Sequence, residues 1–351
     1  MGNNNLKKTE DKIYQNNKYN SDVQNIHFLS LITADSYCEC NSDFKFNLFT
    51  SINNIIFLIY ANKENSIIFY NINNFQKINE IKNAHSRAII GFRHYLDKIN
   101  KKEYIISISD MANNIKLWNL YNFENLMNLQ FINKLGWLPS ACFLKDLNQN
   151  YILSCNCGFN KICEPIKLFD FNGNKIKEIK NSGVQTFFID NYYDYKSSIN
   201  YIITGNINCS ISYNYNENEI YHKYKINSNK EIHSIRIYDD EEKTKLIESG
   251  GDGFVRIWDF HLGKLITKIN CNNFLNCICL WDTEYAFVGC DNKLIKLVNL
   301  KNGIIIKNLV AHHNYVLDIK KIIHPRLGKC LISQGYKDDQ IRLWVVSNDF
   351  Y

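Results

Sequence analysis

From about residue 23 onward, the chain alternates short apolar stretches with turns rich in Asn, Asp, Gly and Lys. Residues 246–260, LIESGGDGFVRIWDF, show this pattern most clearly: an apolar start, a Gly-Gly-Asp-Gly cluster and a Val-x-Ile alternation that ends on Trp-Asp. Glycine tolerates positive φ in a tight turn, and β-branched residues fit a pleated strand. The segment therefore predicts a β-hairpin. No stretch shows a clear amphipathic helical period.

The same hairpin pattern returns along the chain, at 113–120, 164–171, 293–300 and 339–346. The aligned residues that end the hairpins are Tyr70, Trp118, Phe169, Tyr213, Trp258, Val298 and Trp344. They are spaced 40 to 51 residues apart, which is typical of the four-stranded blades of a β-propeller. The hairpin is therefore the unit of a sevenfold repeat.

A further apolar strand precedes the hairpin in six of the repeats, at 89–94, 138–143, 184–189, 232–237, 275–280 and 316–321. The last repeat ends at Val346, after its third strand, and the apolar segment 25–32 is left over at the other end of the chain. We expect this segment to complete the last blade, because the pairing removes two exposed strand edges. The sequence thus predicts an all-β fold, a single seven-bladed propeller of four-stranded antiparallel blades over 23–351, after a flexible polar tail at 1–22.

Composition narrows the classes of function. Hydrophobic residues make up 45% of the 351 residues, enough for a large core. The net charge of +6 arises from 41 basic and 35 acidic residues scattered along the chain. Because no dense basic block is present, the sequence gives no evidence for nucleic-acid binding.

Cysteine usage and the N-terminus indicate the compartment. Twelve Cys without a secretory signal or a membrane-length apolar run predict reduced thiols, a cytoplasmic or nuclear location and no transmembrane segment. Pairs such as Cys155/Cys157 have the wrong spacing for zinc, so we expect no metal and no cofactor. Gly2 follows the initiator Met as in myristoylated proteins, but Leu6 replaces the usual Ser or Thr, which leaves N-terminal lipidation as an open alternative.

The repeats resemble the WD-repeat β-propellers from about residue 24 to the end. In that family the indole N–H of each blade's Trp bonds through a strand hydroxyl and a loop His to a turn Asp, since a buried donor without a partner is costly. The resemblance implies such networks at His85, Ser107, Asp110 and Trp118; at Ser249, Asp252 and Trp258; and at His312, Ser333, Asp338 and Trp344. Asp110 is displaced from the usual turn position, and the second of these sets lacks a loop His. Phe169, Tyr213 and Val298 stand in place of Trp, which indicates a diverged propeller.

Catalytic motifs are missing from the sequence. It contains no phosphate-binding loop, no H-E-x-x-H and no G-x-S-x-G, and residues 251–253 form a hairpin turn rather than a nucleotide-binding loop. The basic motif of phosphoinositide-binding propellers and the N-terminal heptads of G-protein β-subunits are missing too. We therefore expect no catalytic residues and a protein that is not an enzyme.

The resemblance places the residue before each inner strand on the loop face around the channel mouth. Three of these residues are large aromatics, the residue type that dominates interface hot spots. The predicted partner-binding residues are Trp137, Tyr315, Phe274 and Glu231 at these positions, and Tyr336 and Lys337 in the adjoining turn of the last blade. An alternative is that these rings only cap strand ends and pack on neighbouring blades.

Two functions remain open. The first is a non-catalytic scaffold that binds other proteins or peptides within a multiprotein assembly. The second is a reader of a modified peptide or a small cationic ligand at the channel mouth, where aromatics beside an acidic residue such as Glu231 could hold a cation.

Overall fold

The computed structural model describes residues 26–33, 46–51, 53–110, 114–130, 136–146, 149–158, 165–179, 183–240, 242–336, 338 and 340–346. Over these residues the chain forms 28 β-strands and no helix. The strands make seven sheets, each of four antiparallel strands. The predicted all-β class and the seven four-stranded blades are therefore confirmed. The predicted tail at 1–22, with Gly2, lies outside the described residues.

Six blades each use four consecutive strands. Blade 1 contains β2 (Asn47–Thr50), β3 (Ile56–Ala61), β4 (Ile67–Asn71) and β5 (Gln76–Ile81). Blade 2 contains β6 (Ile89–Asp97), β7 (Lys102–Ser109), β8 (Asn114–Asn119) and β9 (Asn125–Gln130). Blade 3 contains β10 (Gly136–Asp146), β11 (Gln149–Gly158), β12 (Ile166–Asp170) and β13 (Lys175–Ile179). Blade 4 contains β14 (Thr186–Asp194), β15 (Ile199–Asn206), β16 (Cys209–Asn214) and β17 (Glu219–Lys225).

The remaining blades follow the same order. Blade 5 contains β18 (Ile232–Asp239), β19 (Thr244–Gly250), β20 (Phe254–Asp259) and β21 (Leu265–Asn270). Blade 6 contains β22 (Leu275–Leu280), β23 (Tyr285–Cys290), β24 (Leu294–Asn299) and β25 (Ile305–Val310). Blade 7 contains β26 (Val316–His324), β27 (Gly328–Gly335) and β28 (Gln340–Val346), with β1 (Ile26–Thr33) beside β28.

The first strands of neighbouring blades contact one another around the whole ring, and β26 of blade 7 also contacts β2 of blade 1. The first strands therefore line the centre of a closed ring. β1 pairs antiparallel with β28, from Ile26 opposite Val346 to Thr33 opposite Gln340. The expected closure of the ring by this N-terminal strand stays a prediction, which truncation tests.

The core lies between the blades. Seven apolar clusters are present among the described residues, and each joins the facing sides of two neighbouring blades. Central strands are consequently buried on both sides, which explains why segments such as residues 67–69 and 294–298 are nearly continuous apolar runs. The ring is thus held together by sheet-on-sheet packing.

The turns define two faces. The upper face carries the turns between the second and third strands and the connections from each fourth strand to the next blade. The lower face carries the turns between first and second strands and between third and fourth strands. In lower-face turns, a glycine with positive φ lets the turn pack on the preceding blade: Gly263, at φ 64°, lies against His222.

Candidate interaction site

Blade 7 contains the complete chain of hydrogen bonds that the resemblance implies. The indole Nε1–H of Trp344 donates to Ser333 Oγ at 2.8 Å. Ser333 Oγ lies 2.8 Å from His312 Nε2, and His312 Nδ1 lies 2.6 Å from Asp338 Oδ2. Because the serine proton goes to Nε2, the imidazole is the Nδ1–H tautomer, which donates to Asp338. The chain connects β28, β27 and the loop before β26.

Electrostatics keep this network in one protonation state. Burial lowers the pKa of His312 and outweighs the opposing effect of Asp338. Burial opposes ionisation of Asp338, but hydrogen bonds from His312 Nδ1–H and from the His313 backbone N–H, together with the charge of Arg342, lower the pKa of this carboxyl overall. Neutral His312 and ionised Asp338 are therefore the stable pair near neutral pH, in a structural role.

Blade 2 forms the same chain without its last member. Trp118 Nε1–H donates to Ser107 Oγ at 2.8 Å, and Ser107 Oγ lies 2.6 Å from His85 Nε2. Asp110 does not accept from His85, whose buried Nδ1 has no partner among the described residues. Burial, assisted by the charge of Lys116, lowers the pKa of His85 to about 3. The displaced turn position of Asp110 thus ends the chain at the histidine.

In blade 5 the structure differs from the predicted network at one residue, Ser249. In blades 2 and 7 the network serine on the second strand pairs with a basic residue on the third strand, two positions before the Trp. The pairs are Ser107 with Lys116 and Ser333 with Arg342. In blade 5 the corresponding Arg256 faces Glu248, not Ser249. Ser249 Oγ and Trp258 Nε1 are buried and make no hydrogen bond in the described part of the chain. The network position belongs to Glu248, a residue that the sequence analysis did not single out.

Glu248 is fully buried between blades 4 and 5. One carboxylate oxygen accepts a short hydrogen bond from Ser210 of blade 4, whereas Oε1 has no partner among the described residues. Trp258 lowers the pKa of Glu248 somewhat, although its indole N–H does not reach normal hydrogen-bond geometry. Burial dominates over Ser210, Arg256 and Trp258 and raises the pKa of Glu248 to about 7.

Asp252 has a different partner from the one that the resemblance implies. Both of its carboxylate oxygens bond to the buried guanidinium of Arg256. In blades 2, 6 and 7 the corresponding cation instead donates to a backbone carbonyl in the loop before the first strand, in the pairs Lys116 with Ala84, Lys296 with Cys271 and Arg342 with Ala311. These three contacts tie the third strand of blades 2, 6 and 7 to the loop before the first strand.

Other blades replace the network by packing. In blade 6 the positions of Ser and Trp hold Val288 and Val298, both fully buried. In blade 4 they hold Thr204 and Tyr213, and Thr204 accepts a hydrogen bond from Asn206. Blade-to-blade variation of this kind is what a diverged repeat produces.

The predicted binding residues on the upper face are brought together only in part. Tyr315 and Tyr336 stack nearly parallel, with ring centroids 4.4 Å apart. Tyr315 is partly buried, but Tyr336 is only 8% exposed. Little of the Tyr336 side chain is therefore accessible, and its partner-binding role stays a prediction together with that of Tyr315. Lys337 lies outside the described residues, as does the side chain of Trp137, whose backbone pairs with Cys157.

Phe274 belongs to a row of rings that crosses three blades. Its ring lies over Gly251, where an added Cβ would come 2.5 Å from the Phe274 Cε2 atom. His233 lies 5.1 Å from Phe274 and 6.1 Å from Phe187, measured between ring centroids. All three rings are partly buried. The sequence analysis missed Phe187 and His233, which occupy β-bulges near the start of β14 and β18.

Glu231 anchors this part of the upper face through its backbone. Its carbonyl accepts from Gly251 N at 2.9 Å, and the residue also bridges to Ile207 of blade 4. Its side chain is partly buried. Glu231 therefore lies beside the same turn that supports the Phe274 ring.

The described residues contain no metal-binding group of three or more His, Cys, Asp or Glu side chains. Eight cysteines in this part of the chain are buried thiols, Cys155 and Cys277 among them. The described residues contain no helix that is long and apolar enough to cross a membrane. A cavity of about 320 Å³ lies between β2 and β26, with Phe49 and Ile323 in its lining, and holds none of the predicted site residues.

Seven four-stranded blades in a ring, with the Trp344–Ser333–His312–Asp338 chain in the last one, define this protein as a seven-bladed propeller. The chain of hydrogen bonds in its last blade is similar to that of the WD-repeat propellers. No protein-family profile matches the sequence. Over 107 residues the chain is 26% identical to the small ribosomal subunit protein RACK1y of Oryza sativa subsp. japonica. The match covers 29% of this chain and spans about a third, 32%, of that relative.

Proposed function

We propose that this protein is a non-catalytic scaffold that holds partner proteins on its upper face. The observation that carries the proposal is the row of Phe187, His233 and Phe274, continuous over blades 4 to 6 and partly open to solvent. Rigid aromatic rings bury much area on binding and lose little side-chain entropy. Because the row is held by strand bulges and by Gly251, a partner meets a preorganised surface.

The titratable groups of the described residues support a non-catalytic role. His85 and His312 are buried and bonded to strand serines, so neither imidazole faces a substrate. Glu248 is likewise enclosed between two blades. These groups stabilise the blades, and a general acid or base must instead reach the reacting atoms.

Partners and location follow from the same proposal. We expect folded proteins or peptides as partners, within a multiprotein assembly in the cytoplasm or the nucleus. The relative's name places RACK1y in the small ribosomal subunit, so a ribosomal particle is one candidate assembly. Co-sedimentation of the tagged protein with 40S particles in a sucrose gradient would support this candidate, and exclusive recovery in the free fractions would reject it.

The scaffold proposal is tested by affinity capture from native lysate with quantitative mass spectrometry. The intact protein is compared with the variant Phe187→Ala/Tyr315→Ala. A matched control, Leu262→Ala/Ile304→Ala, removes two exposed apolar side chains from the lower face. We expect the upper-face variant to lose a partner at least tenfold while the control retains it. Equal recovery with all three proteins, each shown to fold by circular dichroism, would reject the upper face.

The reader remains a second candidate because Glu231 and the Phe274 ring lie against the same turn at Gly251. Aromatic faces next to a carboxylate attract quaternary ammonium groups. Titration calorimetry with a trimethyl-lysine peptide and its unmodified twin separates the two functions. Tighter binding of the methylated peptide, lost in Phe274→Leu, would favour the reader, and equal affinities would reject it.

A further inference from the structure

Three of the most exposed large apolar side chains among the described residues lie on the lower face, away from the proposed upper surface. Tyr121 is 94% exposed, Tyr195 is 86% exposed and Ile99 is 71% exposed. Tyr195 and Ile99 lie in the turns between first and second strands of blades 4 and 2, and Tyr121 lies in the turn after β8. Upper-face rings such as Tyr315 are by contrast partly buried and stacked. Single exposed apolar side chains are ordinary on a protein surface, so the case for an interaction site depends on the charges around them.

Lysines flank these apolar side chains. Lys98, Lys101 and Lys102 surround Ile99 in the blade 2 turn, and Lys196 follows Tyr195 in the blade 4 turn. All four lysines are exposed, and none forms an ion pair with another described residue. The charges are therefore available to an anionic partner.

The carboxylates of the same two turns do not neutralise these lysines. Asp97 is buried and accepts hydrogen bonds from the backbone N–H of Ile99 and Asn100. Asp194 is buried as well and accepts from Lys196 N and Ser197 Oγ. Hydrogen bonds outweigh burial and lower the pKa of both carboxyls. The two aspartates fix the turns from within and leave the lysines outermost.

Hydrogen bonds between blades join the turns into one rigid arc. Tyr95 Oη–H donates to Asn150 Oδ1 at 2.5 Å, and Asn150 Nδ2–H donates to Asp97 Oδ2 at 3.0 Å, linking blade 2 to blade 3. Asn200 Nδ2–H donates to the carbonyl of Lys145 at 2.9 Å, linking blade 4 to blade 3. A partner that spans these blades therefore meets a preorganised surface.

The corresponding turns of blades 5 and 6 differ in charge from the blade 2 turn. Glu242 and Asp282 are exposed in the turns after β18 and β22. Asp240 pairs with Lys245, and Lys243 of the same turn pairs with Asp259. The unpaired lysines of blade 2 therefore set its turn apart from these turns of mixed charge.

We propose that the lower-face arc docks an acidic protein segment with apolar anchors, and the arc consists of Lys98, Ile99, Lys101, Lys102, Tyr195 and Lys196. Ile99 offers a hydrophobic contact, and Tyr195 is the one aromatic residue of the arc, whereas single-stranded nucleic acids bind to several aromatic side chains on which successive bases stack. The mixture of an aliphatic group, an aromatic group and lysines suits a segment in which carboxylates alternate with apolar residues. This surface is separate from the upper-face row, so either proposal can fail alone.

The test uses fluorescence anisotropy with the full chain and a labelled probe of five Glu-Glu-Leu-Phe repeats. A peptide with Gln in place of Glu and an oligouridine RNA of about the same charge serve as comparison probes. The variants are Lys98→Glu/Lys101→Glu/Lys102→Glu and Ile99→Ser/Tyr195→Ser. The matched control, Lys223→Glu/Lys225→Glu/Lys268→Glu, reverses three exposed charges on the outer strands β17 and β21 of blades 4 and 5.

We expect the acidic peptide to bind the intact protein, with at least tenfold weaker affinity in the lysine variant and at least fivefold weaker affinity in the apolar variant. The outer-strand control should bind as the intact protein does, and the Gln peptide should bind at least tenfold more weakly. Absence of peptide binding, or equal loss in the outer-strand control, would overturn the proposal. Tighter binding of the RNA, with no effect of the apolar variant, would overturn it in favour of a nucleic-acid surface.

Discussion

At the scale of single residues, Glu248 links stability to pH. Its folded pKa of about 7 lies above its ordinary value of 4.5, because burial favours the neutral acid. The folded state therefore binds this proton more tightly than the unfolded state. The stabilisation is fully present below the ordinary pKa and is lost as pH rises through about 7, by about 3 kcal/mol.

Glu248→Gln should remove this pH dependence, because an amide keeps a partner for Ser210 and cannot ionise. Urea unfolding at pH 5 and pH 8 measures it. Relative to the intact protein, Glu248→Gln should be more stable at pH 8 and similar at pH 5. The exposed Glu242→Gln serves as the control and should follow the intact protein at both pH values. Parallel profiles for Glu248→Gln and the intact protein would contradict the assignment.

Ser333 is the residue on which the blade 7 network depends. Ser333→Ala removes the acceptor of the Trp344 indole and the partner of His312 Nε2, so two buried polar atoms lose their bonds. We expect a loss of about 2 kcal/mol or more in the free energy of unfolding. Ser154 is the matched control, since it occupies the same register in blade 3. The Trp position of that blade holds Phe169, whose side chain has no N–H that needs an acceptor. A cost for Ser154→Ala equal to that for Ser333→Ala would show that the network adds nothing.

At the scale of elements, the prediction concerns closure of the ring by the pairing of β1 with β28. Deletion of residues 1–33 leaves the edge of β28 unpaired, and we expect the melting temperature to fall by several degrees. Deletion of residues 1–22 alone keeps the strand and should leave the melting temperature unchanged. Differential scanning calorimetry of both truncations decides the point. Equal melting temperatures would show that blade 7 is stable with three strands.

The first and third strands could be predicted from the sequence, because they are buried between blades on both sides and read as apolar runs. All seven aligned hairpin residues, from Tyr70 to Trp344, lie on third strands. The first strand of blade 1, β2, was missed because its four residues are too few to show a pattern. Register was harder: with both faces buried, alternation does not distinguish Glu248 from Ser249.

At the scale of the whole molecule, the candidate surfaces could be predicted only in part. Position in the repeat located Tyr315 and Phe274 on the upper face. It could not show that Tyr336 is buried under Tyr315, or that the bulge residues Phe187 and His233 extend the row, because both depend on packing between blades. The lower-face lysines belong to no sequence motif. They come onto one face only because the ring places the turns of neighbouring blades side by side.

The measurement that tests the scaffold proposal most directly is hydrogen–deuterium exchange with and without the partner recovered by affinity capture. Backbone amides protected by a partner on the upper face should lie in the connections at 226–231, 271–274 and 311–315. The outer strands β17 and β21 should exchange equally in both states. Protection confined to those outer strands, or to the lower-face turns, would contradict the upper-face scaffold.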